Sequence, residues 1–102
     1  MEAVLKSPRI AVIRPQGYLN ATNALEFERD LSTTLAQDDV SSLLVDLAAV
    51  ESFDSSGLMS LVSALKLAQS LNKGFQLDSV SPAIRMILEL TQLDEVFDLS
   101  EG

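Results

Sequence analysis

The stretch "LLVDLAAVESFDSSGLMSL", Leu43 to Leu61, decides how this chain is built. Ser42 to Leu47 is a largely continuous apolar run, interrupted only by Asp46. Continuous rather than alternating burial predicts a central strand covered on at least one face. A loop is expected to cross over from Leu47 to Phe53. Beyond it, Leu58, Leu61, Val62, Leu65 and Ala68 recur at helical spacing, which predicts a helix packed by one face onto the sheet. Between strand and helix stands Asp54-Ser55-Ser56-Gly57. Asp54 or Ser55 is expected to cap the helix by accepting a bond from a free backbone N–H. Gly57 is the odd residue, because glycine inside a helix costs about 0.5–1 kcal/mol relative to alanine. Nor does Glu or Gln occupy the third helical position to complete a capping box. One reading is a low, open helix start that lets another protein's active site approach the serines. Free N–H groups and a partial positive charge there favour a phosphate, while Asp54 and Glu51 oppose one.

Working outward toward the N-terminus, Ala3–Lys6 and Ile10–Arg14 are short apolar runs separated by Ser7-Pro8-Arg9, which predicts two strands and a tight turn. Pro15, Gln16 and Gly17 punctuate, and Tyr18-Leu19 extends the chain once more. Asn20 and Thr22 are candidate caps for a first helix whose inward face is Ala24, Phe27, Leu31 and Leu35, ending near Gln37. The passage from the second strand through this helix is long enough for a right-handed parallel crossover. Toward the C-terminus, Asn72-Lys73-Gly74 predicts a helix stop with Gly74 as the left-handed cap. Phe75–Leu77 predicts a short strand. Ser81-Pro82 opens a third helix, serine as cap and proline in the first turn, with Ile84, Ile87, Leu88 and Thr91 inward. Leu93, Val96 and Phe97 form a last apolar cluster before a frayed acidic end. The order β-β-α-β-α-β-α implies an α/β fold: a mixed sheet of about four strands with helices largely on one face.

With 102 residues the chain is expected to form one domain, residues 1–102. Its formal net charge of −8 argues against direct binding to nucleic acid or an anionic membrane, both of which call for a basic face. No apolar run approaches a membrane span and no signal-peptide pattern opens the chain, so the expected location is cytoplasmic. There are no cysteines, hence no disulfides or thiolate metal sites. There is no histidine, hence no Ser-His-Asp triad, no histidine metal site and no ordinary near-neutral acid–base group. The expectation is a protein that is not an enzyme and carries no cofactor. Met59 and Met86 read as core or interface filler, Tyr18 as a half-buried aromatic near the sheet rim, and Lys66, Lys73 and Arg85 as solvated helix residues.

Residues 43–61 resemble the signature of the STAS family, the anti-sigma-factor antagonists. In that family a strand ends in Asp-Leu, a hydrophobic follows, and Asp-Ser-Ser-Gly-Leu opens a helix. Gly17-Tyr18-Leu19 matches the family's early G-x-L, and the element order agrees over nearly the whole length. The resemblance implies a bacterial partner-switching regulator of transcription. In it Ser55, or alternatively Ser56, is phosphorylated by a serine kinase that doubles as an anti-sigma factor. The unphosphorylated form binds that kinase, and a PP2C-type phosphatase resets the cycle. The partner surface implied is Asp54, Ser55, Ser56, Gly57, Leu58 and Met59; a weak homodimer is left open. Two positions depart from the pattern. Met59 stands where a second glycine is common, and Asn20 where Asp often follows G-x-L.

Three other readings compete. A STAS-like binding module would hold a nucleotide or another phosphate-bearing ligand at the helix start, although no Walker lysine or glycine-rich phosphate loop is present. A serine hydrolase would lack both histidine and the G-x-S-x-G elbow. A subunit of a larger signalling or transport assembly would use the same surface without acting alone.

Overall fold

In the computed structural model, which describes residues 9–100 (the side chains of 98–100 apart), two long extended segments run side by side, each broken once. The first comprises β1 (Arg9–Ile13) and β2 (Gly17–Leu19), and the second β3 (Val40–Asp46) and β4 (Val50–Phe53). β1 pairs with β3, and β2 with β4, all parallel. Arg9 thus begins a strand rather than ending a turn, and the expected strand at 3–6 lies outside the described residues.

The remaining elements are α1 (Ala24–Leu35), α2 (Ser55–Ser70), β5 (Gly74–Asp78), α3 (Pro82–Leu90), a short 3-10 helix (Leu93–Glu95) and β6 (Asp98–Ser100). The main sheet has the order β1-β3-β5-β6, and every described pairing in it is parallel. Parallel neighbours in register point to the same side. Ala11, Leu43 and Phe75 form one row and Ile13, Val45 and Leu77 the next, and the helices cover this face. On the opposite face, none of Ile10, Val12, Ser42, Leu44, Gly74 and Gln76 is fully buried. One core results. The inward stripe Ala24, Phe27, Leu31 and Leu35 is buried as the 3.6-residue period requires, and Leu58, Leu61, Ala64 and Ala68 of α2 meet it.

Several local expectations are corrected. The segment from Leu47 to Phe53 contains a strand, β4, rather than only a loop. The break before it is made by Asp46, whose carboxylate accepts from the Ala48 N–H at 3.0 Å, while the Val50 N–H returns to the Leu47 carbonyl. The residue at the N-terminus of α1 is Asn23, not Asn20 or Thr22. Its side chain is spent on the preceding loop, accepting from Asn20 N and donating to the Tyr18 carbonyl. After α2 the left-handed residue is Asn72 (φ 56°), and Gly74 already lies in β5. Lys73 is not simply solvated: its ammonium donates to the carbonyls of Leu35 and Gln37, closing the C-terminal end of α1. Thr91 faces out as the residue ending α3. The acidic end is not frayed at 98–100, where β6 pairs with β5, and Phe97 is buried with its ring 6.0 Å from that of Phe75.

Candidate functional site

The start of α2 is fixed by β2 and β4 together. The Leu19 carbonyl at the end of β2 accepts from the Asp54 N–H at 3.0 Å, the last rung before the helix begins. Asp54 then caps α2: one carboxylate oxygen accepts from Ser56 N at 2.9 Å and from Gly57 N at 3.1 Å. A helix N-terminus offers its first free N–H groups to whatever anion lies over it. Here that position is filled from within.

Gly57 has a specific cause. A Cβ built on it would lie 2.5 Å from the Leu19 carbonyl oxygen and 2.9 Å from the Leu19 Cβ. The glycine is buried and lets the helix press directly onto the β2 backbone. This replaces the sequence-level idea that it keeps the surface open. Leu58 is buried beside it, so both residues act through packing. The side chains left at the surface are Asp54, Ser55 and Met59, with Ser56 half-buried.

Two shallow depressions flank this turn. One, of about 190 Å³, is lined by Tyr18, Leu19, Asn20, Ser52, Phe53 and Asp54. The other, of about 250 Å³, lies between α1 and α2 and is lined by Ala21, Ala24, Leu25, Glu28, Ser56, Met59 and Ser60. Neither is lined by a lysine or arginine. Large apolar side chains stand at their edges: Tyr18 is 59% exposed, Leu25 78% and Met59 56%. Met59 and Tyr18 are therefore surface features rather than core, and so is Met86 on α3. Beneath the second depression the buried Ser60 hydroxyl lies 3.0 Å from the Ala24 carbonyl and 3.1 Å from that of Ser56. Its single proton serves one helix or the other, and either way the polar group is satisfied where α1 meets α2.

Leu25 and Ser60 escape sequence reasoning for different reasons. Leu25 falls off the inward stripe of the first helix and reads as an isolated surface leucine. Ser60 is a hydroxyl inside the apolar stripe of the second helix, and that interruption was the available signal.

Among the described residues no group of three or more His, Cys, Asp or Glu is arranged to hold a metal ion, and no helix is long and apolar enough to cross a membrane. The arrangement leaves the Ser55 hydroxyl exposed, with an apolar and acidic surround.

Comparison with known proteins finds relatives of the same fold. A Thermotoga neapolitana protein described as a homolog of an anti-sigma factor antagonist is 29% identical over 87 residues, covering 85% of this chain and 77% of that one. The crystal structure of a Thermotoga maritima protein described as an anti-sigma factor antagonist superposes with a TM-score of 0.84 at 28% identity, covering 91% of this chain and 80% of the other. An anti-sigma factor antagonist from Mycobacterium paratuberculosis gives a TM-score of 0.79 at 30% identity, with 89% and 76% covered. The family model for the STAS domain matches residues 3–101, and the chain belongs to the STAS domain family.

Proposed function

We propose that this chain is an anti-sigma-factor antagonist of a bacterial cytoplasm, a non-catalytic partner switch governed by phosphorylation of Ser55. Unphosphorylated, it binds a serine kinase that doubles as an anti-sigma factor, and a PP2C-type phosphatase restores that form. The observation that carries this reading is the exposed Ser55 at the first position of α2, beside a helix start whose own N–H groups Asp54 already occupies. A phosphate on Ser55 adds a charge of about −1.5 to −2. The capped N–H groups are taken, and no lysine or arginine lines either neighbouring depression. The added charge therefore stays at the surface, where its bulk and the cost of desolvating it oppose a partner seated on Ser55, rather than reshaping the helix. Ser55 is favoured over Ser56 because Ser56 is half-buried and its carbonyl lies within reach of the Ser60 hydroxyl.

The same cap weighs against the binding-module reading. A nucleotide phosphate at this helix start would have to displace the Asp54 carboxylate and then lie beside it, anion against anion.

Phosphopeptide mapping from cells, together with labelling by the serine kinases of the same genome, tests the assignment. Label is expected on wild type and absent from Ser55→Ala, and Ser55→Asp is expected to lose kinase binding. Equal labelling of wild type and Ser55→Ala would sink the Ser55 assignment.

A further inference from the structure

The depression between α1 and α2 has a shape and charge that the phosphorylation chemistry does not call for. Ser55 needs only to be reachable. Yet Met59 stands one helical turn after it on the same side of α2, and Leu25, the most exposed of the three apolar side chains around the site, rises from the first turn of α1 across the gap. Between them the floor is small or polar: Ala21, Ala24, Ser56 and the buried Ser60. The Ser60 hydroxyl is hydrogen-bonded at the helix junction, so the gap is a preformed feature. Glu28 closes one end as the only charged lining residue.

We propose that Leu25 and Met59 form an apolar clamp that receives an apolar side chain of the kinase, flanked in the kinase by lysine or arginine facing Glu28. The clamp thereby sets which kinase this chain accepts. The inference rests on the partner-switch reading and names the determinant of its specificity.

Two observations select this occupant. A cleft with two apolar walls on a small-residue floor fits an anchor side chain of the kind that dominates interface energetics. A second copy of this chain would bring the same Glu28 to the contact, on a chain of net charge −8, which disfavours self-association through this face. A basic partner is attracted by the same charge.

The experiment measures binding of each serine kinase of the same genome to purified wild type, Leu25→Ser/Met59→Ser, Glu28→Lys and Ser55→Asp, with circular dichroism to confirm folding. All of the replaced side chains are surface or half-buried positions, so the fold is expected to persist. The double variant is expected to weaken binding of the accepted kinase by about tenfold or more. Glu28→Lys is expected to weaken it severalfold and to flatten its dependence on salt. Unchanged affinity in the folded double variant overturns the clamp, and if Ser55→Asp still releases the kinase, the partner switch survives without it. If Ser55→Asp binds like wild type while the double variant does not, the clamp stands and the phosphorylation switch falls. If no kinase of the genome binds wild type, both are overturned.

Discussion

Two helices of this domain begin with side-chain caps, and the two beginnings differ beneath the cap. At α3, Ser81 accepts from Ile84 N at 3.2 Å and Pro82 supplies the first turn. At α2, Asp54 accepts from both Ser56 N and Gly57 N. The third helical position faces inward in both. In α3 it is Ile84, whose side chain is fully buried and fills the space beneath the helix. In α2 it is Gly57, and the space is taken by the Leu19 carbonyl instead. The cap is generic, and the difference lies one residue layer down. By giving up a side chain there, α2 rests directly on the end of β2, which fixes Ser55 relative to Tyr18, Asn20 and the start of α1.

The comparison is broken most forcefully at its inward positions. Ile84→Ala removes a fully buried side chain and is expected to cost about 3 kcal/mol through lost burial and a residual cavity. Gly57→Ala is the sharper test because its sign is at stake. In an unconstrained helix, alanine for glycine stabilises by up to about 1 kcal/mol. With the Leu19 carbonyl in the way, the substitution is expected to destabilise by about 2 kcal/mol, and the obstacle is backbone, which cannot rotate aside. Urea unfolding of both variants checks this. A stabilised Gly57→Ala protein would mean that α2 does not rest on β2 as described.

This contrast also marks where sequence reasoning stops. The apolar period of the helices was legible because burial on one face repeats every 3.6 residues, and it located Leu31, Leu35, Leu61 and Leu88 in the core. Ser81-Pro82 was legible because its chemistry is local. The candidate serines were legible only through the motif of residues 43–61. The reason for Gly57 was not, since it depends on a carbonyl 38 positions earlier in the chain, brought near by strand pairing. β4 was missed because Val50-Glu51-Ser52-Phe53 is short and half polar, and its partner β2 is shorter still. β6 was missed because its acidic surroundings suggest solvent, while its pairing with β5 is a property of the sheet. Leu25 was missed because an exposed leucine has no sequence mark that separates a wall of a cleft from a scattered surface residue.

The caps themselves should differ less than the positions beneath them. Ser81→Ala removes one bond and is expected to cost about 1 kcal/mol; Asp54→Ala removes two, with a charge at the positive end of the helix, and is expected to cost about 1.5 kcal/mol. Measured side by side by thermal or urea unfolding, equal losses would say that the second bond to Gly57 N adds nothing. Asp54→Asn separates the two contributions at α2, because it keeps an acceptor and discards the charge.

The smallest effect tests what the two helix starts have in common. Asp46, at the end of β3, lies between the two approaches: its carboxylate accepts from Ala48 N in the turn leading to β4 and α2, and it pairs in register with Asp78, the last residue of the strand that leads to α3. The Ala48 N–H is the largest reason that the Asp46 carboxyl is held below the usual carboxylate range; burial opposes it, and the Arg14 guanidinium, 3.1 Å away, adds to the lowering. A carboxylate with a depressed pKa in the folded protein contributes stability that is complete above its unfolded value and is lost as pH falls through the folded one. Arg14 is largely exposed, so the contribution is about 0.5 kcal/mol. Fifteen Asp and Glu side chains titrate in the same acidic range, and protonating them also relieves the repulsion of a −8 chain. The informative quantity is therefore the difference in unfolding midpoint between wild type and Asp46→Asn from pH 7 to pH 3. That difference is expected to be constant near neutrality and to shrink on acidification, as wild type loses the charge that the asparagine variant never had. A constant difference throughout would mean that Asp46 holds its turn by geometry alone.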